Sequence, residues 1–233
     1  MLKGLYKVEM HTVHGSRRGV LYVYDGKMMG GNSAFAFIGT YKDSDSGEVL
    51  VEISTLRHNH DPNFQPLFKT DKITLMLKGR QQGEQYHFEG GATQLPGIAF
   101  NSVMTPISEE AAPPALSVGK DGIKNGLYSI HIRMLDGIDG GNTGVMVLHD
   151  GRIRGGDGFF DYIGSYTCAN GKWKGEIVNH EHLGVPPEHF IAFYVTLRDV
   201  FADVLGADWT PDIDAAWAEL LRRIDDLLIK AGV

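Results

Sequence analysis

The chain says much of itself twice, and a repeated sequence must build the same local structure twice. Gly4-Leu5-Tyr6 recurs as Gly126-Leu127-Tyr128, and Gly19-Val20, Asp25-Gly26 and Gly30-Gly31 recur 125 residues later as Gly144-Val145, Asp150-Gly151 and Gly155-Gly156. Phe35, Phe37-Ile38-Gly39 and Tyr41 fall on Phe160, Tyr162-Ile163-Gly164 and Tyr166. Glu52-Ile53 and His58 then fall on Glu176-Ile177 and His182. Downstream of His182 nothing matches residues 60–104, so the second copy is partial.

Within the first copy, residues 5–10, 20–24, 34–40, 49–56, 73–77, 85–89 and 98–104 are short runs rich in aromatic and β-branched residues. Turn residues separate them, and Asp25-Gly26 is a hairpin signal because a tight primed turn needs positive φ. Regular short strands of this kind predict a small antiparallel meander barrel, whose closure removes aggregation-prone edges. Residues 108–124 carry Pro113-Pro114 and few aromatics, and read as an exposed linker. After Pro187 the period changes. Phe190, Phe193, Tyr194, Leu197, Val200, Phe201 and Leu205 recur every three or four residues, and Gly206 stops the run. Thr210-Pro211 caps a second helix with the stripe Ala216, Trp217, Leu220, Leu221, Ile224, Leu227 and Leu228. The expected organisation is therefore a mainly β chain with an α-helical C-terminus. A barrel spans 1–107, a linker 108–124, a partial second barrel 125–183 and a helical hairpin 184–233.

Net charge −7 argues against a nucleic-acid binder, which needs a clustered basic surface. The single cysteine, Cys168, excludes an internal disulfide and thiolate metal clusters. No stretch approaches a membrane span, and the expectation is a cytoplasmic protein that does not engage membranes. The apolar helical stripe predicts self-association.

Candidate chemistry is sparse. His58-Asn59-His60 and His180-Glu181-His182 place imidazoles on one face of a strand, but neither brings a carboxylate or thiolate at ligand spacing. A framework role for His58 and His182, and no metal, is the reading. The pairs Gly30-Gly31, Gly90-Gly91 and Gly155-Gly156 lack a following helix or P-loop lysine and read as turn glycines. Arg152, Arg154 and Asp157 read as solvated. Cys168 has no evident base, and no triad or carboxylate pair stands out, so the chain reads as a non-enzyme. Tyr6, Tyr22, Tyr24, Phe35, Phe37 and Phe88 are candidates to line a pocket for a small apolar ligand.

The repeated pattern, GLY, a G-V strand, a D-G turn, G-G, an aromatic pair and I-G-x-Y, resembles the GrlR-like family of bacterial type III secretion regulators. The resemblance runs along residues 3–107, including Leu95-Pro96-Gly97, and over the front half of the second copy. It implies a lipocalin-like barrel that dimerises and represses by binding a transcriptional activator through an acidic loop. The corresponding loop here is Lys42-Asp43-Ser44-Asp45-Ser46-Gly47-Glu48, which makes Asp43, Asp45 and Glu48 the implied partner-binding residues. The second copy has Cys168-Ala169-Asn170-Gly171-Lys172 there, without an acid.

The C-terminus is similar to the end of a bacterial globin, through His180, Gly184-Val185, His189-Phe190, Val204-Leu205-Gly206, Trp209-Thr210 and Ala216-Trp217. That resemblance implies His180 as a haem ligand. The leading expectation is a non-enzymatic regulator acting by protein–protein contact. Haem binding through His180 and carriage of an apolar ligand in the barrel are the alternatives.

Overall fold

A computed structural model describes residues 2–110, 112–119, 122–132, 142–169, 172–181, 198, 202, 206 and 209–231. The chain divides into two compact units, Met1–His182 and Leu183–Val233. In the first, eight strands close an antiparallel meander barrel: β1 (Gly4–Thr12), β2 (Gly15–Tyr24), β3 (Lys27–Gly31), β4 (Phe35–Asp43), β5 (Val49–Arg57), β6 (Lys72–Gln82), β7 (Gln85–Ala92) and β8 (Leu95–Pro106). β8 returns to β1, pairing Met104 with Val8. The strand absent from the sequence reading is β3, five residues of Lys-Met-Met-Gly-Gly that carry none of the β-branched or aromatic signal.

The second copy forms β9 (Gly126–Ile132), β10 (Asn142–His149), β11 (Arg152–Gly156), β12 (Phe160–Ala169) and β13 (Lys172–Glu181), in the order β13-β12-β11-β10-β9. It is the front five strands of the barrel, left open. The repeated residues adopt repeated geometry. Asp25 and Gly26 turn β2 into β3 with φ of 45° and 73°, and Asp150 and Gly151 turn β10 into β11 with 47° and 77°. Positive φ at both central residues is the primed hairpin turn, which the Asp-Gly pair favours. Asn32 Oδ1 accepts from the amides of Ala34 and Phe35, and Asp157 Oδ1 accepts from those of Phe159 and Phe160.

The copies pack on each other through the outward faces of β2–β3 and β10–β11. Leu5, Val20, Val145 and Ile163 form the shared apolar cluster. The contact is nearly two-fold symmetric. A Cβ on Gly31 would lie 2.9 Å from Val145 Cγ1, and one on the equivalent Gly156 would lie 2.9 Å from Val20 Cγ1. These glycines, like Gly90-Gly91 in β7, lie within strands rather than in turns, which corrects the sequence reading. Tyr22 and Tyr24 also belong to this outward face. They stack at 5.1 Å, and Tyr24 lies 4.4 Å from the ring of His149 in the second copy, so neither lines the barrel interior.

Two further expectations are overturned here. Arg154 and Asp157 are buried, and only Arg152 is exposed. Asp157 accepts from the Tyr162 hydroxyl, and burial, reinforced by that hydrogen bond and the carboxylate's charge, drives the phenol's pKa far above its ordinary value. The segment between the copies is not a free linker either. Ile107 and Ala112 join the inter-copy cluster, Glu109 pairs with Arg154, and Val118 forms a parallel bridge with Cys168. Val118 and Ile123 pack on Leu148, Ile153 and Tyr166. These three sit at positions equivalent to Val23, Met28 and Tyr41, the inward side of the complete barrel. The segment thus covers part of the sheet that β6–β8 would have covered.

In the second unit the described helix is α1 (Pro211–Ala231). Thr210 Oγ1 accepts from the amide of Ile213 at 3.3 Å, and Asp212 and Asp214 occupy the electropositive first turn. Arg198 and the Trp209 indole N–H both donate to Asp214 and hold its carboxyl below the usual range. Arg222 and Arg223 clamp Glu219 and lower its pKa to about 2. The first helix of the expected hairpin falls outside the described residues except for Arg198, Ala202 and Gly206, as do the side chains from Ile224 onward and all of His182. Among the described residues no helix is long and apolar enough to cross a membrane.

Candidate functional site

The barrel interior is apolar because inward positions alternate along every strand: Val8 and Met10, Leu21 and Val23, Phe35 and Phe37, Val51 and Ile53, Ile73 and Leu75, Tyr86 and Phe88. Large side chains fill one end, and Tyr6 and Tyr86 meet edge to face at 6.1 Å. The other end stays hollow. A cavity of about 480 Å³ opens there, walled by Met10, Ala34, Phe35, Phe37, Thr55, Leu75 and Phe100 and covered by Phe64, Leu67 and Phe68. A recess of about 30 Å³ continues inward, sharing Met10, Phe37, Thr55, Leu75 and Phe100. The rim is polar, with Glu9, His11, Ser16, Arg17, Arg18 and Gln65, and the second copy adds Gly158 and Phe159.

The covering loop between β5 and β6 is organised by Arg57. Its guanidinium donates to the carbonyls of Asn59, Asp61 and Phe64 at 2.8, 3.1 and 3.2 Å, pairs with Asp71 at 3.2 Å and lies over the Phe35 ring at 5.9 Å. Arg17 on the rim donates to Gln65 O at 3.1 Å, which ties the loop to β2. Five donors in a rigid fork suit Arg to gathering several carbonyls at once. Apart from the aromatics, sequence reasoning missed this site. The one local signal was Thr55, a polar residue at an inward position of β5.

Of the predicted site residues, Tyr6, Phe35, Phe37 and Phe88 are interior, and Phe35 and Phe37 reach the cavity. Asp43 and Asp45 are exposed at the opposite turn, whereas Glu48 pairs with Arg80 at 3.1 Å. That turn is closed by hydrogen bonds between Ser44 and Glu48. His58 and His60 do not act together. His60 is exposed, while His58 is half-buried with Nε2 3.1 Å from Asn32 O. Among the described residues no three His, Cys, Asp or Glu side chains converge as a metal site.

Burial lowers the His58 pKa below its ordinary 6.5, with the Asn32 carbonyl opposing the shift. The unfolded chain therefore takes up a proton at a higher pH than the folded one. Stability from this group is complete above about pH 6.5 and falls as pH drops through the window below it. The denaturation midpoint is expected to decline between pH 7 and 5 and to decline less in His58→Gln, as urea titrations at several pH values would read.

His180 lies on strand β13, with Nδ1 3.2 Å from the buried carboxylate of Asp161, and it lines neither the barrel cavity nor its recess. A model of the globin family matches residues 157–228, less than half of the chain. No curated protein matches. The family's fold packs helices around its haem, and here the match begins across β12 and β13 before reaching α1. The residues described around His180 do not fit a haem: the strand sets the imidazole beside the buried Asp161 carboxylate, and the side chain is 42% exposed rather than enclosed. The globin likeness is therefore one of sequence over the C-terminal part.

Proposed function

We propose that this chain is a non-enzymatic binding protein whose barrel takes up a small apolar ligand. The single observation that carries the reading is the hollow end of an otherwise filled barrel, walled by Met10, Phe35, Phe37, Leu75 and Phe100 and rimmed by polar groups. Its volume lies within the range of small-molecule sites, and an apolar wall with a few convergent polar groups is their usual composition. Thr55→Phe projects a ring into the space that the cavity and its recess share. The expected result is on the order of tenfold weaker binding of an apolar fluorescent probe such as N-phenyl-1-naphthylamine, with the denaturation midpoint little changed. Equal probe affinity in the two proteins would sink the reading.

A regulatory role of the GrlR-like kind is the second reading, favoured by the exposure of Asp43 and Asp45 on a compact turn remote from the cavity. On that reading these acids meet a basic surface of a transcriptional activator, and Glu48, engaged by Arg80, contributes less. The closely packed pair of copies would then stand where single-copy proteins place two subunits.

A further inference from the structure

In the complete barrel β5 is paired on both sides, with β4 and with β6, the latter from Val49–Gly79 to Leu56–Lys72. Its equivalent β13 pairs with β12, and among the described residues nothing pairs with its other edge. The surface beside that edge is unusually apolar for an open strand. Trp173 is 58% exposed and Ile177 41%, whereas their barrel equivalents Val49 and Ile53 are 5% and 6% exposed. A strand with unpaired amides and carbonyls and apolar side chains is a template for another strand.

We propose that β13 pairs antiparallel with β13 of a second copy of this chain, about a two-fold axis at Gly175. Residues opposite one another across an antiparallel ladder share a face. With Gly175 opposite Gly175, Lys174 falls opposite Glu176 and Trp173 opposite Ile177, each pair occurring twice. The strand is thus complementary to itself in charge on one face and in apolar contact on the other. Lys174 and Glu176 are both exposed. Gly175 leaves its inner face free of a side chain, and the Trp173 indole lies over it, 3.3 Å from where a Cβ would stand. A shift of register by one residue would set Lys174 opposite Ile177 and lose both complementarities. In the first barrel β6 occupies the equivalent edge of β5.

The test is sedimentation equilibrium of the full chain over a concentration series, for the native sequence, Lys174→Glu, Glu176→Lys and the double exchange. A native dimer is expected. Either single reversal sets two like-charge pairs across the axis and weakens it on the order of tenfold or more, and the double exchange restores it. Restoration also shows that the single variants fold. A native chain that stays monomeric at every concentration overturns the proposal. So does a dimer indifferent to the single reversals, or one that the double exchange does not rescue.

Discussion

Glu109→Ala is expected to destabilise the first unit by about 2–4 kcal/mol, read as a fall in the denaturation midpoint. Arg154 is 1% exposed; its guanidinium donates to the carbonyls of Ile153 and Gly164 and pairs with Glu109, while its Nε has no partner. Removing one member of a buried pair leaves an uncompensated charge, at a typical cost of about 3–5 kcal/mol. Glu109 keeps partial solvent contact, which lowers the figure here. The repeat supplies the control. Arg154 occupies the position of Met29 in the first copy, opposite Val147 as Met29 is opposite Tyr22. Glu109→Ala with Arg154→Met is therefore expected to recover most of the loss, since replacing a whole buried pair with apolar groups is often neutral or better. A double variant as unstable as Glu109→Ala alone would mean that the carboxylate acts through something other than the guanidinium.

Gly31→Ala and Gly156→Ala are expected to cost about 3 kcal/mol each, at the upper end of overpacking. A Cβ at Gly31 would come within 2.2 Å of Phe35 O as well as 2.9 Å of Val145, and one at Gly156 within 2.3 Å of Phe160 O and 2.9 Å of Val20. Backbone on one side and the facing copy on the other leave no direction in which to yield. Shrinking the facing valine, as in Gly31→Ala with Val145→Ala, removes only the second contact and is not expected to rescue stability. Gly126→Ala, whose nearest neighbour would be 3.7 Å away, serves as the silent control and should shift the midpoint by no more than about 0.5 kcal/mol. Thermal unfolding of the four variants would compare them directly.

The strands and the barrel were legible because alternation and turn chemistry are local: the Asp-Gly turns and the inward residues of β1, β5 and β7 all follow from period two. What was not legible depended on the copies touching. Tyr22, Tyr24 and Arg154 lie on outward faces that a single barrel would give to water; the second copy covers the two tyrosines through His149, and the segment between the copies covers Arg154 through Glu109. The segment around Val118 looked like a spacer because its few apolar residues carry no period; its partners Leu148, Ile153 and Tyr166 are distant in sequence. The cavity was half legible. Its aromatics were named, but the loop that covers it owes its shape to Arg57, whose role rests on backbone carbonyls that no pattern of side chains encodes.

On the apolar-ligand reading, the segment docked on the open sheet also sets the expected stoichiometry. Val118 and Ile123 sit against Leu148, Ile153 and Tyr166, part of the interior surface of the second copy, whereas the barrel cavity lies in the first. On that reading, duplication does not double capacity: the first copy holds the hollow, and the second, its inner face partly covered by the connecting segment, adds Gly158 and Phe159 to the rim. A titration with an apolar probe should saturate at one equivalent per chain.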